Sequence, residues 1–145
     1  MARIRRRTVL QLLVGLPALG SLTRAQVAET SIVETQAGKW RGRRDAGSHI
    51  FKGIRYGADT STRRFRPPIA PPPWPGVRDA LEFGPIAPQP SSGGRPISED
   101  CLHLNVWTPA LGAGKRPVMV WFHGGAYSSG TSNELETDGA RLSRR

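Results

Sequence analysis

The feature of this 145-residue sequence that most constrains its fold is a continuous apolar run, Pro117–Phe122, which ends at a glycine turn. A strand that is apolar on both faces belongs in the middle of a sheet covered on both sides, which is the α/β arrangement. Just upstream, Cys101–Trp107 alternates with period two and places Leu102, Leu104 and Val106 on one face. We therefore predict an α/β fold with two strands leading to the glycine turn.

The preceding part of the chain predicts antiparallel strands and then a proline-rich loop. Short strands separated by glycine turns are expected over residues 32–35, 39–43 and 49–52. Nine of the thirteen prolines lie between positions 67 and 90, so residues 66–96 are expected to form neither sheet nor helix. Large apolar residues such as Phe65 and Trp74 favour a packed extended loop over a solvated linker. Residues 133–145 are expected to begin a helix.

The first 25 residues have the organisation of an export signal. A basic segment, Arg3–Arg7, precedes an apolar stretch over Val9–Leu22 that is too short and broken to span a membrane, and Thr23–Ala25 offers a cleavage site. Arg6 begins a twin-arginine pattern. An ordinary Sec leader or an uncleaved amphipathic segment remains an alternative. We expect export to the periplasm or beyond by the machinery that reads residues 1–25, with no stable membrane anchor.

Charge and cysteine content exclude several other functions. Half of the net charge of +10 comes from the first 25 residues, which contain five arginines and no acidic residue. The remaining arginines are scattered over turns, so nucleic acid is not expected as a partner. A single cysteine, Cys101, excludes an intrachain disulfide and a multi-cysteine zinc site. We expect neither a cofactor nor a metal ion.

The glycine turn after the apolar run is His123-Gly124-Gly125-Ala126. Consecutive glycines allow successive backbone N–H groups to point at one spot, where they can bind negative charge. Loops of this kind donate N–H groups to the oxyanion hole of esterases and lipases with the α/β-hydrolase fold. Glycine turns follow many strands, so the motif alone leaves a purely structural role open.

The surrounding residues resemble the type-B carboxylesterase family, which includes the cholinesterases. The segment Glu99-Asp100-Cys101-Leu102-His103-Leu104-Asn105 is similar to the family's Glu-Asp-Cys-Leu-x-Leu-Asn signature, and Pro117–Gly125 resembles the strand and loop that carry the oxyanion hole. Phe51-x-Gly53-Ile54-x-Tyr56, Arg64-Phe65-x-x-Pro68, Trp74 and Phe83-Gly84-Pro85 follow in the family's order. The resemblance covers residues 31–145 and implies an incomplete α/β-hydrolase fold.

The resemblance implies a role for each residue of the glycine turn. The N–H groups of Gly125 and Ala126 would be oxyanion donors, Gly124 the hinge that lets them converge, and His123 a residue that shapes the loop, not the catalytic base. Tyr127 and Trp74 are candidates for lining the substrate gorge. This interpretation requires that positions 125 and 126 do not lie on a convex turn that faces solvent.

Three further residues have structural roles by resemblance. Arg64 and Glu99 occupy the positions of a buried ion pair, whose loss would be strongly destabilising, whereas two surface charges would contribute almost nothing. Cys101 corresponds to a cysteine that is disulfide-bonded in many members. Its partner position is Ala87 here, so Cys101 is expected to be a free, buried thiol.

The catalytic triad is absent from this sequence. A Gly-x-Ser-x-Gly nucleophile elbow does not occur, and in the family the serine, acid and histidine all follow the oxyanion loop. We therefore expect residues 26–145 to be the N-terminal part of an exported serine hydrolase acting on small carboxylic esters, inactive alone, through natural truncation, a frameshift or a partial gene model. The alternative is a non-catalytic binding protein that keeps the esterase scaffold.

Overall fold

A five-stranded sheet organises the part of the chain that the structure describes. The computed structural model describes residues 30–145, so the leader expected over residues 1–25 lies outside the described residues. The strands are β1 (Thr30–Glu34), β2 (Lys39–Asp45), β3 (Ser48–Arg55), β4 (Val77–Asp79) and β5 (His103–Thr108). Strands β1, β2, β3 and β5 lie side by side in that order and are antiparallel, while β4 pairs in parallel with β2.

The first three strands confirm the strands expected near residues 32–35, 39–43 and 49–52. The β2–β3 hairpin turns through Ala46 and Gly47, whose φ angles are 46° and 83°. Two consecutive residues with positive φ form the hairpin turn that best matches the twist of paired strands. Asp45 and Ser48 therefore face each other directly across the turn.

Strand β3 of this hairpin also pairs with β5, the strand expected over Cys101–Trp107, and it contains a bulge there. The register between β3 and β5 shifts between Phe51 and Ile54. Gly53 occupies the bulge with a φ of 65°, and its N–H donates to Oδ1 of Asn105 at 2.9 Å. A side chain at position 53 would place its Cβ 2.6 Å from the carbonyl oxygen of Glu82. The bulge therefore depends on both Gly53 and Asn105, which belong to two different sequence motifs.

The proline-rich segment contains a strand, which corrects the expectation that it forms no sheet. Strand β4 follows Gly76, and no proline occurs between positions 76 and 84, so its backbone N–H groups are free to pair. The N–H of Ala80 then donates to the carbonyl of Arg41 at 2.7 Å, and its own carbonyl accepts from the N–H of Lys52 at 2.8 Å. Ala80 therefore fills the gap where β2 and β3 diverge.

The hydrophobic core lies where this segment packs on the hairpin. Trp40, Phe51, Trp74 and Ala80 are buried together. The rings of Trp40 and Trp74 meet edge to face, with centroids 4.8 Å apart. Trp74 is thus a core residue, which confirms the packed loop but not its proposed place in a gorge. Phe65, by contrast, is fully exposed and anchors nothing in the described residues.

The apolar run Pro117–Phe122 does not form the central strand that the sequence predicts. The run belongs to no strand or helix, and its side chains are exposed, with Val118 at 84% and Phe122 at 85%. A strand is stabilised by hydrogen bonds to a neighbouring strand, and the described residues place none beside this segment. Within residues 30–145, no helix is long and apolar enough to cross a membrane.

The last residues return to the hairpin instead of starting the expected helix. They form two short 3-10 turns, Leu135–Thr137 and Leu142–Arg144. The fully buried Ser48 donates to the carbonyl of Ala140 at 3.1 Å, and its hydroxyl lies 2.7 Å from that of Ser143. Nη1 of Arg144 donates to the carbonyl of Ala46 at 2.9 Å. These contacts fix the tail against the hairpin turn, and neither 3-10 turn is longer than three residues.

The core predicts unequal effects for the two aromatic residues expected to anchor the loop. Trp74→Ala should lower the free energy of unfolding by about 3–5 kcal/mol, because it leaves a cavity against Trp40. Phe65→Ala, the matched control on the surface, should change it by about 0.5 kcal/mol or less. Urea titrations followed by circular dichroism would measure both, and equal effects would contradict the packing described here.

Candidate functional site

The glycine turn adopts a backbone that few residue types allow. Gly125, Ala126 and Tyr127 have φ angles of 120°, 51° and 61°, three consecutive positive values. A Cβ at position 125 would lie 1.8 Å from the carbonyl oxygen of Ser129, so only glycine fits there. Ala126 tolerates a left-handed conformation that costs it more than it would cost glycine. Successive backbone N–H groups in a turn can together bind an anion.

The carbonyls of Gly124 and Gly125 accept hydrogen bonds, whereas two N–H groups of this turn donate none within the described residues. Nδ1 of His123 donates to the carbonyl of Gly124 at 2.7 Å, and the carbonyl of Gly125 accepts from the N–H groups of Ser128 and Ser129 at 3.0 and 3.2 Å. Because the N–H and C=O of a trans peptide point in opposite directions, the N–H groups of Gly125 and Ala126 point away from those partners. Neither donates to a protein acceptor within residues 30–145.

The turn is exposed, which differs from the sheltered loop that the sequence predicts. Residues 111–129 are all exposed. The reason is the preceding segment: residues 117–122 do not enter the sheet, so no layer of the described structure covers the turn that follows. The two free N–H groups therefore face solvent within residues 30–145, so the shelter that the oxyanion role requires at positions 125 and 126 is not provided by the described residues. That role requires a further layer, outside residues 30–145, to cover the turn.

Side-chain amides fix the segment that leaves the turn, and sequence reasoning did not identify them. Oε1 of Gln89 accepts from the N–H of Gly130 at 2.8 Å, and Nε2 of Gln89 donates to the carbonyl of Gly130 at 3.1 Å. Nδ2 of Asn133 donates to the carbonyl of Gly84 at 2.8 Å. Both amides join the proline-rich segment to residues just after the turn. Gln89 lies outside every motif, so no sequence signal pointed to it.

A polar cleft lies between the same two segments. Its volume is about 290 Å³. Hydroxyl groups, an amide and charges of both signs line it, contributed among others by Gln89, Ser92, Arg95, Ser129 and Glu134. Ser129 and Gly130, which also line the cleft, follow the turn in the chain, whereas no residue of the turn itself lines it. In the described part of the chain, His, Cys, Asp and Glu form no group of three or more that could hold a metal ion.

The expected ion pair forms, but it is not buried. Nη2 of Arg64 donates to Oε1 of Glu99, and this hydrogen bond raises the pKa of Arg64. The Arg64 side chain is 59% exposed, which corrects the expectation of a buried pair. A second pair, Arg55 with Asp100, is more sheltered, since each side chain is only about a quarter exposed. Arg55 stands beside the motif residue Ile54 and was not singled out from the sequence.

The histidines have structural surroundings. Nδ1 of His49 lies 2.6 Å from the hydroxyl of Ser31, and His123 is exposed beside the turn it bonds. Burial lowers the pKa of His103, partly opposed by the charge of Asp100, while Arg55 lowers it further. His103 is therefore neutral near pH 7. Within residues 30–145, none of the three is hydrogen-bonded to a carboxylate that could orient it toward a serine.

Cys101 is a free thiol, as expected, although it is half-buried and not fully buried. Burial raises its pKa, and the negative charge of Glu99 raises it further. A raised pKa keeps the thiol protonated near neutral pH, and the protonated form is a poor nucleophile. This environment supports a structural role for Cys101.

The raised pKa predicts slow alkylation of Cys101. At pH 8 the folded chain should react with iodoacetamide more slowly than the same chain in urea, because less thiolate is present. The difference should shrink as the pH rises through the raised pKa. Mass spectrometry of quenched samples gives both rates, and equal rates at pH 8 would show that the environment leaves the thiol unperturbed.

Comparison with known proteins identifies the relatives of this chain. The sequence model of the carboxylesterase family matches residues 29–145. The phenmedipham hydrolase of Pseudarthrobacter oxydans is 43% identical over 70% of this chain and 23% of its own length. The para-nitrobenzyl esterase of Bacillus subtilis is 41% identical over 77% of this chain and 24% of its own length.

Solved structures give the same result. A carboxylesterase of Geobacillus stearothermophilus superposes with a TM-score of 0.72 and 44% identity, over 78% of this chain and 24% of that one. The chain thus spans about a quarter of the length of the relatives it matches. The sheet described above is the corresponding region of their α/β-hydrolase fold, and the chain belongs to the carboxylesterase family.

Proposed function

We propose that this chain is the N-terminal part of an exported serine carboxylic-ester hydrolase and that its contribution to catalysis is the oxyanion hole. The observation that carries the proposal is the pair of adjacent N–H groups at Gly125 and Ala126, which have no acceptor in the described residues while the carbonyls beside them are bonded. Membership of the carboxylesterase family supports an ester as the substrate class.

The proposed chemistry follows from where charge develops. Attack of a serine hydroxyl on an ester carbonyl converts the carbonyl oxygen into an oxyanion. The N–H groups of Gly125 and Ala126 would donate to that oxygen, and the bonds from His123 and Ser128 hold their peptides in place beforehand. Donors that need no reorganisation stabilise the transition state more than the ground state, by about 3–4 kcal/mol for each donor.

The other parts of the proposed active site lie outside the described residues. The nucleophilic serine, the acid and the catalytic histidine would come from a region corresponding to the other three quarters of the relatives. The leader over residues 1–25 would direct the protein to the periplasm or the exterior, and the substrate would be a small carboxylic ester.

The alternative from the sequence is a non-catalytic binding protein on an esterase scaffold, which would lack the nucleophilic serine. Genomic DNA read beyond codon 145 should show a Gly-x-Ser-x-Gly pattern in some frame if the enzyme is correct. A changed residue at the serine position would favour the binding protein.

We predict that residues 26–145 alone hydrolyse no ester, because oxyanion donors cannot act without a nucleophile. The purified fragment should release no p-nitrophenol from a p-nitrophenyl ester above a heat-treated sample. Turnover that an organophosphate abolishes would show that the fragment contains a reactive serine and would contradict this assignment.

A hybrid esterase tests the oxyanion donors directly. Residues 29–145 would replace the matched quarter of the Bacillus subtilis para-nitrobenzyl esterase, which supplies the rest of the fold. We expect the hybrid to hydrolyse a para-nitrobenzyl ester. Gly125→Ala should lower kcat by about 10²–10³-fold, because a Cβ 1.8 Å from the Ser129 oxygen must displace the turn.

The matched control is the reverse exchange at the next position. Ala126→Gly keeps the N–H and suits the φ of 51°, so kcat should stay within about twofold of the parent hybrid. A folded hybrid that lacks turnover, or one in which Gly125→Ala has no effect, would refute the proposed role of the turn.

A further inference from the structure

The two hydrogen bonds between Gln89 and Gly130 satisfy both backbone groups of one residue with one side chain. The primary amide of Gln89 accepts from the Gly130 N–H at 2.8 Å and donates to the Gly130 carbonyl at 3.1 Å. A neighbouring strand would make the same pair of bonds. Because both bonds are made by a planar group, they restrict the position and the orientation of Gly130 together.

Gly130 transmits this restriction to the turn because it is packed against it. A Cβ at position 130 would lie 2.4 Å from the carbonyl oxygen of Gly124 and 2.6 Å from Nδ1 of His123. These are the two atoms whose hydrogen bond orients the peptide between Gly124 and Gly125. The N–H of that peptide is the first proposed oxyanion donor. A displacement of Gly130 therefore moves the carbonyl that sets the direction of the donor.

Gln89 is itself firmly placed. Nε2 also donates to the carbonyl of Ala87 at 3.2 Å. The buried Ile86, three residues earlier, is bonded on both sides: its N–H donates to Pro96 at 2.9 Å, and its carbonyl accepts from Ser98 at 3.1 Å. The Gln89 side chain thus extends from backbone that is itself held by hydrogen bonds, so it can hold another segment in position.

We propose that Gln89 is a positioning residue for the oxyanion donors, acting through Gly130 on the peptide between Gly124 and Gly125. The inference rests on the proposed function of the turn, since it assigns Gln89 a part in the same reaction. Gln89 does not touch the reacting atoms. Its effect should fall on transition-state stabilisation and leave substrate binding unchanged.

The contact is tested first by hydrogen exchange in the full 145-residue chain. Gln89→Met keeps the length of the side chain and removes both bonds. Amide exchange over residues 123–131 should rise about tenfold or more, while exchange over the β2–β3 hairpin stays as in the parent. Gln36→Met, an exposed glutamine in the β1–β2 turn, is the matched control and should change neither region. A parent chain in which residues 123–131 exchange as fast as an unfolded peptide would overturn the contact.

The role in catalysis is tested in the hybrid esterase. With kcat expressed per active site titrated by an organophosphate, Gln89→Met should lower kcat about ten- to a hundredfold with KM nearly unchanged. Affinity for a trifluoromethyl ketone, which forms a tetrahedral adduct with the serine, should fall by the same factor. A variant that merely destabilised the fold would lose titratable sites and keep its kcat.

The outcomes separate the two proposals. An inactive but folded parent hybrid refutes the oxyanion function, and the exchange experiment still decides whether Gln89 holds the turn. An active parent hybrid whose kcat and ketone affinity are unaffected by Gln89→Met refutes the positioning role and leaves the function of the turn intact.

Discussion

The packing of Trp74 against Trp40 is the contact on which the rest of the structure depends. Proline-rich chain has few backbone donors and cannot hold itself in place by a regular ladder. The indole of Trp74 places it in the core, and Gly38 makes room, since a Cβ there would lie 2.5 Å from the indole ring. Once this point is fixed, β4 pairs with β2, and the chain continues to Gln89 and the glycine turn.

The local elements could be predicted from the sequence because their causes are local. Ala46 and Gly47 make a tight hairpin turn, and the alternation of Leu102, Leu104 and Val106 indicates β5. The glycine turn at 123–126 is equally visible, since Gly125 has a φ of 120° and no room for a side chain. The family resemblance added what these patterns do not contain, namely the chemistry expected of that turn.

The differences arise where a feature depends on distant partners. Val118–Phe122 has the composition of a central strand, but a strand needs a neighbour to bond, and the described residues provide none. The exposure of Arg64 depends on which segments cover it, and a pair of charges in the sequence does not reveal that. The side chain of Gln89 bonds Gly130, which is 41 residues away in the sequence. No periodic pattern in the sequence predicts such a contact.

The tail contacts have a consequence for the order in which the chain folds. Ser48 bonds Ala140 and Ser143, and Arg144 bonds Ala46, across 92 to 98 residues of sequence. The β2–β3 hairpin closes across two residues, so it can form early, whereas contacts this remote carry the larger loop-closure entropy. Native hydrogen bonds at Ser48 are thus expected to be late additions to a hairpin that has already formed.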